Sequence, residues 1–228
     1  TLVVPAANLA EASVASRLDV RGAGSLGELV AHLRGRRPLR TAGAGPPGPG
    51  PPAQPDLKDI GGHASAKRVL EIAAAGGHHL LLVGEPGAGK TMLARRLPSL
   101  LPPLRRGEAI ETSIVHSVAG LLDPDEGLLR RRPFRAPHHT ATAAGLVGGG
   151  ARLRPGEASL AHHGVLFLDE LGEFRPAALE ALREPLETGD VRLVRATGAV
   201  RLPARFQLVA AMNGLSLIHI SEPTRLRR

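Results

Sequence analysis

The segment that most limits how this chain can fold is Gly84-Glu85-Pro86-Gly87-Ala88-Gly89-Lys90-Thr91. It follows an apolar run, His79-Leu-Leu-Leu-Val83, and opens a helical stretch from Lys90 through Leu97. A G-x-x-x-x-G-K-[ST] string recurs by chance when it stands alone; the strand before it and the helix after it give it meaning. Glycines there let backbone N–H groups close around phosphate oxygens, and the start of the following helix adds partial positive charge. Lys90 is spaced to reach β- and γ-phosphates, and Thr91 to ligate Mg²⁺. The bland alternative is a Gly-rich strand–helix turn that holds no ligand.

A second motif weighs against that alternative. Val165-Leu-Phe-Leu-Asp169-Glu170 ends an apolar strand with two carboxylates. They fall at the carboxyl edge of the strand, where ligands of open α/β sheets bind. Asp169 would hold Mg²⁺ through water, and Glu170 would polarise the water that attacks the γ-phosphate. Without a phosphate loop the pair would read as an acidic turn. Asn213 ends a further apolar strand, Leu208-Val-Ala-Ala-Met212. There it could bond the attacking water or the γ-phosphate, but Asn past a strand is also a common turn residue. Both readings stay open.

Charge adds little. The net +8 divides into +3 over residues 1–55, +3 over 56–213 and +2 over 214–228, so the central region is nearly balanced. Basicity alone therefore does not argue for nucleic acid. Only Lys58, Lys67 and Lys90 of the 29 basic residues are lysine, which fits GC-rich coding as well as phosphate recognition. Four Phe with no Tyr or Trp remove the usual base-stacking platforms. No cysteine means no disulfide framework and no thiolate metal site. No apolar run reaches a membrane span of about 18–20 residues, and nothing reads as a signal peptide. A cytoplasmic setting is the default. The chain begins at Thr1 without Met, which leaves a lost leader open.

Four segments are expected. Residues 1–40 contain a short strand, Leu2–Pro5, and a helix start at Ser25-Leu-Gly-Glu28, and are too few to bury a core alone. Residues 41–55 form a Pro/Gly linker. Residues 56–213 alternate helices and strands, the pattern of a parallel α/β sheet. A helix is expected over Ala64–Ala75, with Ala66, Val69, Leu70 and Ala73 apolar. Another runs from Pro176 to near Gly189, with Leu179, Leu182 and Leu186 on one face. Strands are expected at Val165–Leu168 and Phe206–Ala211, and a hairpin from Val191–Val194 and Ala199–Leu202 around Gly198. Residues 214–228, with Leu217-Ile-His-Ile-Ser-Glu-Pro-Thr-Arg225, resemble a translated sequencing-adapter read-through and are given no weight.

The motifs at 84–91 and 165–170, the Asn-ended strand and its preceding hairpin resemble an AAA+ ATPase with a pre-sensor-1 hairpin. Pro133-Phe-Arg-Ala-Pro-His-His-Thr140, Gly148-Gly-Gly150, Pro155-Gly-Glu-Ala-Ser-Leu-Ala-His162, Gly164–Glu170 and Leu182-Arg-Glu-Pro-Leu-Glu187 are similar to the magnesium-chelatase-like ComM/YifB family. The match covers about residues 56–213, and residues 1–40 resemble the end of that family's Lon-protease-like N-terminal domain.

The resemblance implies an AAA+ P-loop NTPase core, with a parallel sheet between helices on both faces and an insert in helix 2. It implies ATP and Mg²⁺, with Gly84, Glu85, Pro86, Gly87, Ala88, Gly89, Lys90, Thr91 and Met92 around the nucleotide. Thr91 and Asp169 would serve the metal, and Lys90, Glu170 and Asn213 the chemistry. It further implies a ring of copies of itself, a hexamer, acting on DNA in branch migration or recombination linked to transformation, with no membrane partner. The alternative within the resemblance is the ATPase subunit of a magnesium chelatase, which drives metal insertion through a protein partner. The family resemblance at residues 1–40 favours the DNA motor. A nucleotide switch without motor action is a third reading, which the intact Glu170 opposes.

Several details remain. Asp59-Ile-Gly-Gly-His63 departs from the family's Gly-Gln box near the adenine, leaving His63 as a base contact open. Arg130, Arg131, Arg132, Arg135, Arg152 and Arg154 in the 130–154 segment could track a phosphate backbone, or form a solvated loop. The pairs His78-His79, His138-His139 and His162-His163 lack metal-ligand spacing, so packing or hydrogen bonding is the expectation. AAA+ sheets resemble the order 5-1-4-3-2, and the chain is expected to stop after strand 4. That would leave strand 1 an exposed edge, and the lid and arginine finger missing, so the 228-residue chain alone is expected to be inactive.

Overall fold

A computed structural model describes residues 1–14, 18–41, 55–123, 127–150, 153–195 and 198–214. Most of the expected Pro/Gly linker, Arg152 and the 215–228 tail lie outside these residues. The described residues divide into two compact units. One falls within Thr1–Ala53 and Arg105–Arg130, the other within Gln54–Leu104 and Arg131–Arg228.

In chain order the elements begin with β1 (Leu2–Pro5), α1 (Leu9–Ala12), β2 (Val20–Ala23), α2 (Leu26–Leu33), β3 (Arg40–Thr41) and α3 (Ala64–Gly76). Next come β4 (Leu80–Val83), α4 (Lys90–Ala94), α5 (Leu97–Leu100), α6 (Arg106–Ala119), β5 (Phe134–Arg135), α7 (Ala143–Val147) and β6 (Gly148–Gly149). The rest are β7 (Arg154–Pro155), α8 (Glu157–Leu160), β8 (Val165–Leu168), α9 (Pro176–Glu180), α10 (Arg183–Thr188), β9 (Asp190–Arg195), β10 (Gly198–Pro203) and β11 (Gln207–Met212).

In the first unit, β2 pairs parallel with β1 and antiparallel with β3. Helix α2 starts where the sequence places it. The Ser25 hydroxyl accepts the Glu28 N–H at 3.2 Å, and the Glu28 carboxylate accepts the Gly24 N–H at 2.8 Å. These bonds satisfy donors that a helix start leaves orphaned. Helix α6 belongs to this unit too, with the Arg106 guanidinium donating to the Val14 carbonyl at 3.0 Å.

The second unit is built on a four-stranded parallel sheet in the order β4-β11-β8-β5. Numbering these strands along the chain gives 1-4-3-2, so β4, the strand that delivers the Gly84–Thr91 loop, is an edge. Its Leu81 and Val83 are each about half exposed (53% and 50%). Central β8 is buried on both faces, as an apolar run in a parallel sheet must be. Successive side chains alternate. Val165 and Phe167 join Val209 and Ala211 under Leu57, Ile60, α3, α4 and α5. Leu166 and Leu168 join Ala210 beneath α7, α8, α9 and β9. Phe134 stacks on Phe167 with ring centres 5.9 Å apart. Helices thus cover both faces, as expected.

Four local expectations need correction. The helix expected from Pro176 to Gly189 is two, α9 and α10, broken at Ala181–Leu182. Pro185 has no N–H for the Ala181 carbonyl, and its ring crowds that turn. The segment after the loop likewise breaks at Arg95–Arg96, because Pro98 cannot donate to the Ala94 carbonyl. Leu186 is 36% and Val69 47% exposed. Val69 lies one step off the stripe set by Ala66, Leu70 and Ala73. Finally, the 130–154 segment is not all insert, since Phe134–Arg135 is a strand of the main sheet. The insert proper is the β6–β7 hairpin between α7 and α8. The expected hairpin before the last strand is present as β9–β10, with Val191 and Leu193 buried.

Candidate functional site

The Gly84–Thr91 loop leaves the carboxyl end of β4. The Gly84 N–H donates to the Met212 carbonyl at 3.3 Å, which ties the start of the loop to β11. Gly87 and Gly89 hold φ of +81° and +77°. A side chain in this left-handed region costs about 1–2 kcal/mol, which explains glycine at both positions. No atom lies within 4 Å of where a Gly87 Cβ would stand, so the loop backbone is open on that side. The Ala88 N–H closes the turn onto the Glu85 carbonyl at 3.2 Å, and Gly89 accepts the Leu93 N–H at 2.9 Å as α4 begins.

Two side-chain pairs link this loop to the neighbouring strand ends. Lys90 Nζ donates to the Gly84 and Glu85 carbonyls at 2.7 and 2.8 Å, and to Asn213 Oδ1 at 3.1 Å. The Thr91 hydroxyl donates to Asp169 Oδ2 at 2.6 Å, and Asp169 Oδ1 accepts the Glu170 N–H at 3.0 Å. The structure therefore brings together Lys90, Thr91, Asp169, Glu170 and Asn213, residues spread over 124 positions, at one sheet edge. Glu170 takes a left-handed backbone (φ 53°, ψ 52°), uncommon for a non-glycine residue. A cavity of about 40 Å³ lies between Glu170, Gly172, Glu173, Met212 and Asn213, room for about one water.

The donor set fits the ligands that the sequence implies. Left-handed glycines followed by a helix start make a concave row of N–H donors suited to phosphate oxygens. A hydroxyl and a carboxylate oxygen side by side are the hard donors that Mg²⁺ prefers. Of the other positions read around the nucleotide, Pro86 lies within the loop turn. The Met92 Cε lies 3.1 Å from where a Gly89 Cβ would stand, and His63 Nε2 lies 3.8 Å from the same point. His63 is thus beside the loop.

Two of the six paired histidines accept backbone hydrogen bonds. His79 Nδ1 accepts the Leu208 N–H at 2.9 Å, and buried His162 accepts the Arg205 N–H at 3.0 Å through Nδ1. His139 is different: its Nδ1 lies 3.2 Å from Glu170 Oε2, a site contact that the sequence reading missed. Its only sequence signal was membership of the Pro133–Thr140 motif.

Two arginines of the 130–154 segment are engaged internally. Arg132 donates to the Pro102 and His163 carbonyls, both at 2.6 Å. Arg135 grips Glu157 through two bonds of 2.6 and 2.8 Å, which hold its pKa above the usual guanidinium value despite partial burial. Neither is placed to follow a phosphate backbone. Arg130 and Arg154 are exposed.

The sheet order, its helical layers and the two hairpins define an AAA+ fold. Residues 56–225 match the family model described as magnesium chelatase, subunit ChlI. The uncharacterized protein Rv2897c of Mycobacterium tuberculosis is 53% identical over 217 residues, covering 93% of this chain and 42% of that protein. YifB of Salmonella typhimurium is 47% identical over 216 residues, with the same coverage of each chain. Competence protein ComM of Haemophilus influenzae is 56% identical over 160 residues, 69% of this chain and 31% of that protein. The chain belongs to the magnesium-chelatase-like family of AAA+ proteins, in its ComM/YifB branch. It spans about 42% of the length of the first two of these relatives.

Proposed function

We propose that the chain carries the ATP-binding half of an AAA+ motor that hydrolyses ATP and works on DNA as a ring of identical subunits, a hexamer. The observation that carries the hydrolase reading is the pair of links Lys90–Asn213 and Thr91–Asp169, which join the loop to the two strand ends beside it. Lys90, whose Nζ donates to the Gly84 and Glu85 carbonyls and to Asn213, would also serve the β- and γ-phosphates. Residues 84–92 wrap the phosphates. Thr91 and Asp169 would hold Mg²⁺, which when bound would offset phosphate charge. Glu170 accepts a proton from the attacking water, and Asn213 orients that water or the γ-phosphate.

The DNA role draws support from the printed name of the Haemophilus relative, a competence protein. A second reading draws on the family model's own description: a magnesium-chelatase ATPase acting through a protein partner. Within the insert, the DNA reading now leans on Arg154 and the glycines of β6. Among the described residues no helix is long and apolar enough to cross a membrane. ATP turnover by the full-length protein, with and without single-stranded or branched DNA and with Lys90→Ala as control, separates the readings. Lys90-dependent turnover that DNA accelerates supports the motor. Lys90-dependent turnover with no DNA stimulation or binding at low salt favours the chelatase-type reading. No Lys90-dependent turnover ends both.

A further inference from the structure

We propose that the turn from Arg34 to Arg40, in the first unit, is a contact for the DNA phosphate backbone, with Arg36, Arg37 and Arg40 pairing to phosphates without reading sequence; this deepens the DNA reading above and rests on it. Residues 1–55 carry six arginines against three acids, and four of the six are Arg34, Arg36, Arg37 and Arg40. No acid occurs from Leu29 to Pro55. The positive charge of this stretch is therefore gathered into one short turn. A net charge spread over a region says little about a partner, whereas a tight single-sign cluster attracts polyanions.

The fold holds this turn at both ends. Helix α2 stops at Gly35, whose φ is +69°, with the Gly35 N–H donating to the His32 carbonyl and the Arg36 N–H to the Ala31 carbonyl, both at 2.9 Å. Further on, Leu39 is buried and Arg40 lies opposite Gly22 in the β2–β3 pair. The four arginines are exposed, and none makes a side-chain hydrogen bond or ion pair among the described residues. Arg21, by contrast, is paired with Asp19 at 3.0 Å. A notch of about 60 Å³ between Arg37, Pro38, Leu39 and Arg40 is also bordered by Glu28, whose Oε2 accepts the Gly24 N–H.

Arg34 stands at the end of α2, where a cation is favourable without any ligand. Arg36, Arg37 and Arg40 have no such internal use. Held close together they repel one another, and bound phosphates would relieve that repulsion while releasing counterions. Each guanidinium fork matches two phosphate oxygens at once. Because the backbone is already fixed, binding orders only side chains. A membrane surface would call for an apolar face beside the charges, and the turn's own exposed residues are arginine, glycine, proline and threonine.

The test compares the full-length protein with a triple variant, Arg36→Gln, Arg37→Gln and Arg40→Gln, and with the matching triple substitution to lysine. Fluorescence anisotropy with a duplex oligonucleotide gives Kd over a range of salt, and phosphatidylserine–phosphatidylcholine vesicles are titrated alongside. Thermal melts of both variants should match wild type, since the three side chains are exposed. The expected result is DNA binding at least about 10-fold weaker in the glutamine variant at low salt. Its dependence of log Kd on log salt should be shallower by about 2–3, at about 0.9 per lost phosphate contact. The lysine variant should keep most of that slope, because counterion release follows charge. A glutamine variant that binds DNA with the wild-type Kd and slope overturns this inference alone and leaves a solvated arginine turn. Loss of vesicle binding with DNA binding unchanged also overturns it and marks a lipid surface instead. Wild-type protein with no DNA binding at low salt overturns the DNA reading, and this inference with it.

Discussion

Gly164→Ala tests how tightly the sheet that carries the site is built. Gly164 immediately precedes β8, and a Cβ there would lie 2.1 Å from the Pro133 carbonyl oxygen and 2.7–2.8 Å from two Pro133 ring carbons. That carbonyl accepts the Val165 N–H at 2.8 Å, and the Gly164 carbonyl accepts the Gln207 N–H at 2.9 Å. The obstacle is therefore backbone on the β5 side, pinned by the sheet, and must move by about 1 Å. Overpacking of this kind costs about 1–3 kcal/mol, and straining one backbone hydrogen bond adds about 1 kcal/mol. The reduced freedom of the unfolded chain returns about 0.4–1 kcal/mol. The net is a loss of about 2–3 kcal/mol, or about 4–12 °C in Tm for a domain of this size.

Gly145→Ala is the comparator, because it lies in α7 with its nearest neighbour, Thr142 Oγ1, 3.6 Å from the new Cβ. Alanine there should be neutral or stabilising by up to about 1 kcal/mol. Thermal melts followed by circular dichroism measure both. A Gly164→Ala melt within a degree of wild type, or a Gly145→Ala variant more damaged than Gly164→Ala, would refute the reasoning.

Thr91→Ala removes the 2.6 Å bond to Asp169 and a metal donor, while Thr91→Ser keeps the hydroxyl. Nucleotide affinity should fall about 10-fold or more in Thr91→Ala, as expected for a hydrogen bond to a charged group. The loss should appear in fluorescence titrations with Mg²⁺ and largely vanish in EDTA, with Thr91→Ser near wild type. Arg135→Ala breaks a two-pronged pair whose side chains are 31% and 23% exposed. Partial solvent screening limits the expected loss to about 1–2 kcal/mol in urea unfolding. Arg135→Lys should recover less than half, because an ammonium cannot make two parallel bonds.

The sheet and the loop were legible because their signals are local and strong. Val165–Leu168 is uniformly apolar, and Gly87 and Gly89 stand where only glycine is free of backbone strain. The residues read as site members from the motifs and the family resemblance come together at one edge because parallel strands all present their carboxyl ends there. What the sequence hid depends on geometry between segments. A proline's effect on the turn before it split two expected helices at Pro98 and Pro185, although each stretch keeps helical spacing. Arg132 and Arg135 looked like solvent-facing charge until their partners, two backbone carbonyls and Glu157, were brought to them by the fold. The His139–Glu170 contact required the β5–β8 register, which a two-residue strand such as Phe134–Arg135 does not announce.

The claim that the Gly84–Thr91 loop is a nucleoside-triphosphate site faces its most direct test in calorimetric titration of Mg²⁺–ATP into the full-length protein and its Lys90→Ala variant. Saturable binding at one site per chain, weakened about 10–100-fold in Lys90→Ala by loss of a charge-assisted contact with the fold intact, is the predicted result. No binding by wild type, or equal binding by the variant, would contradict it.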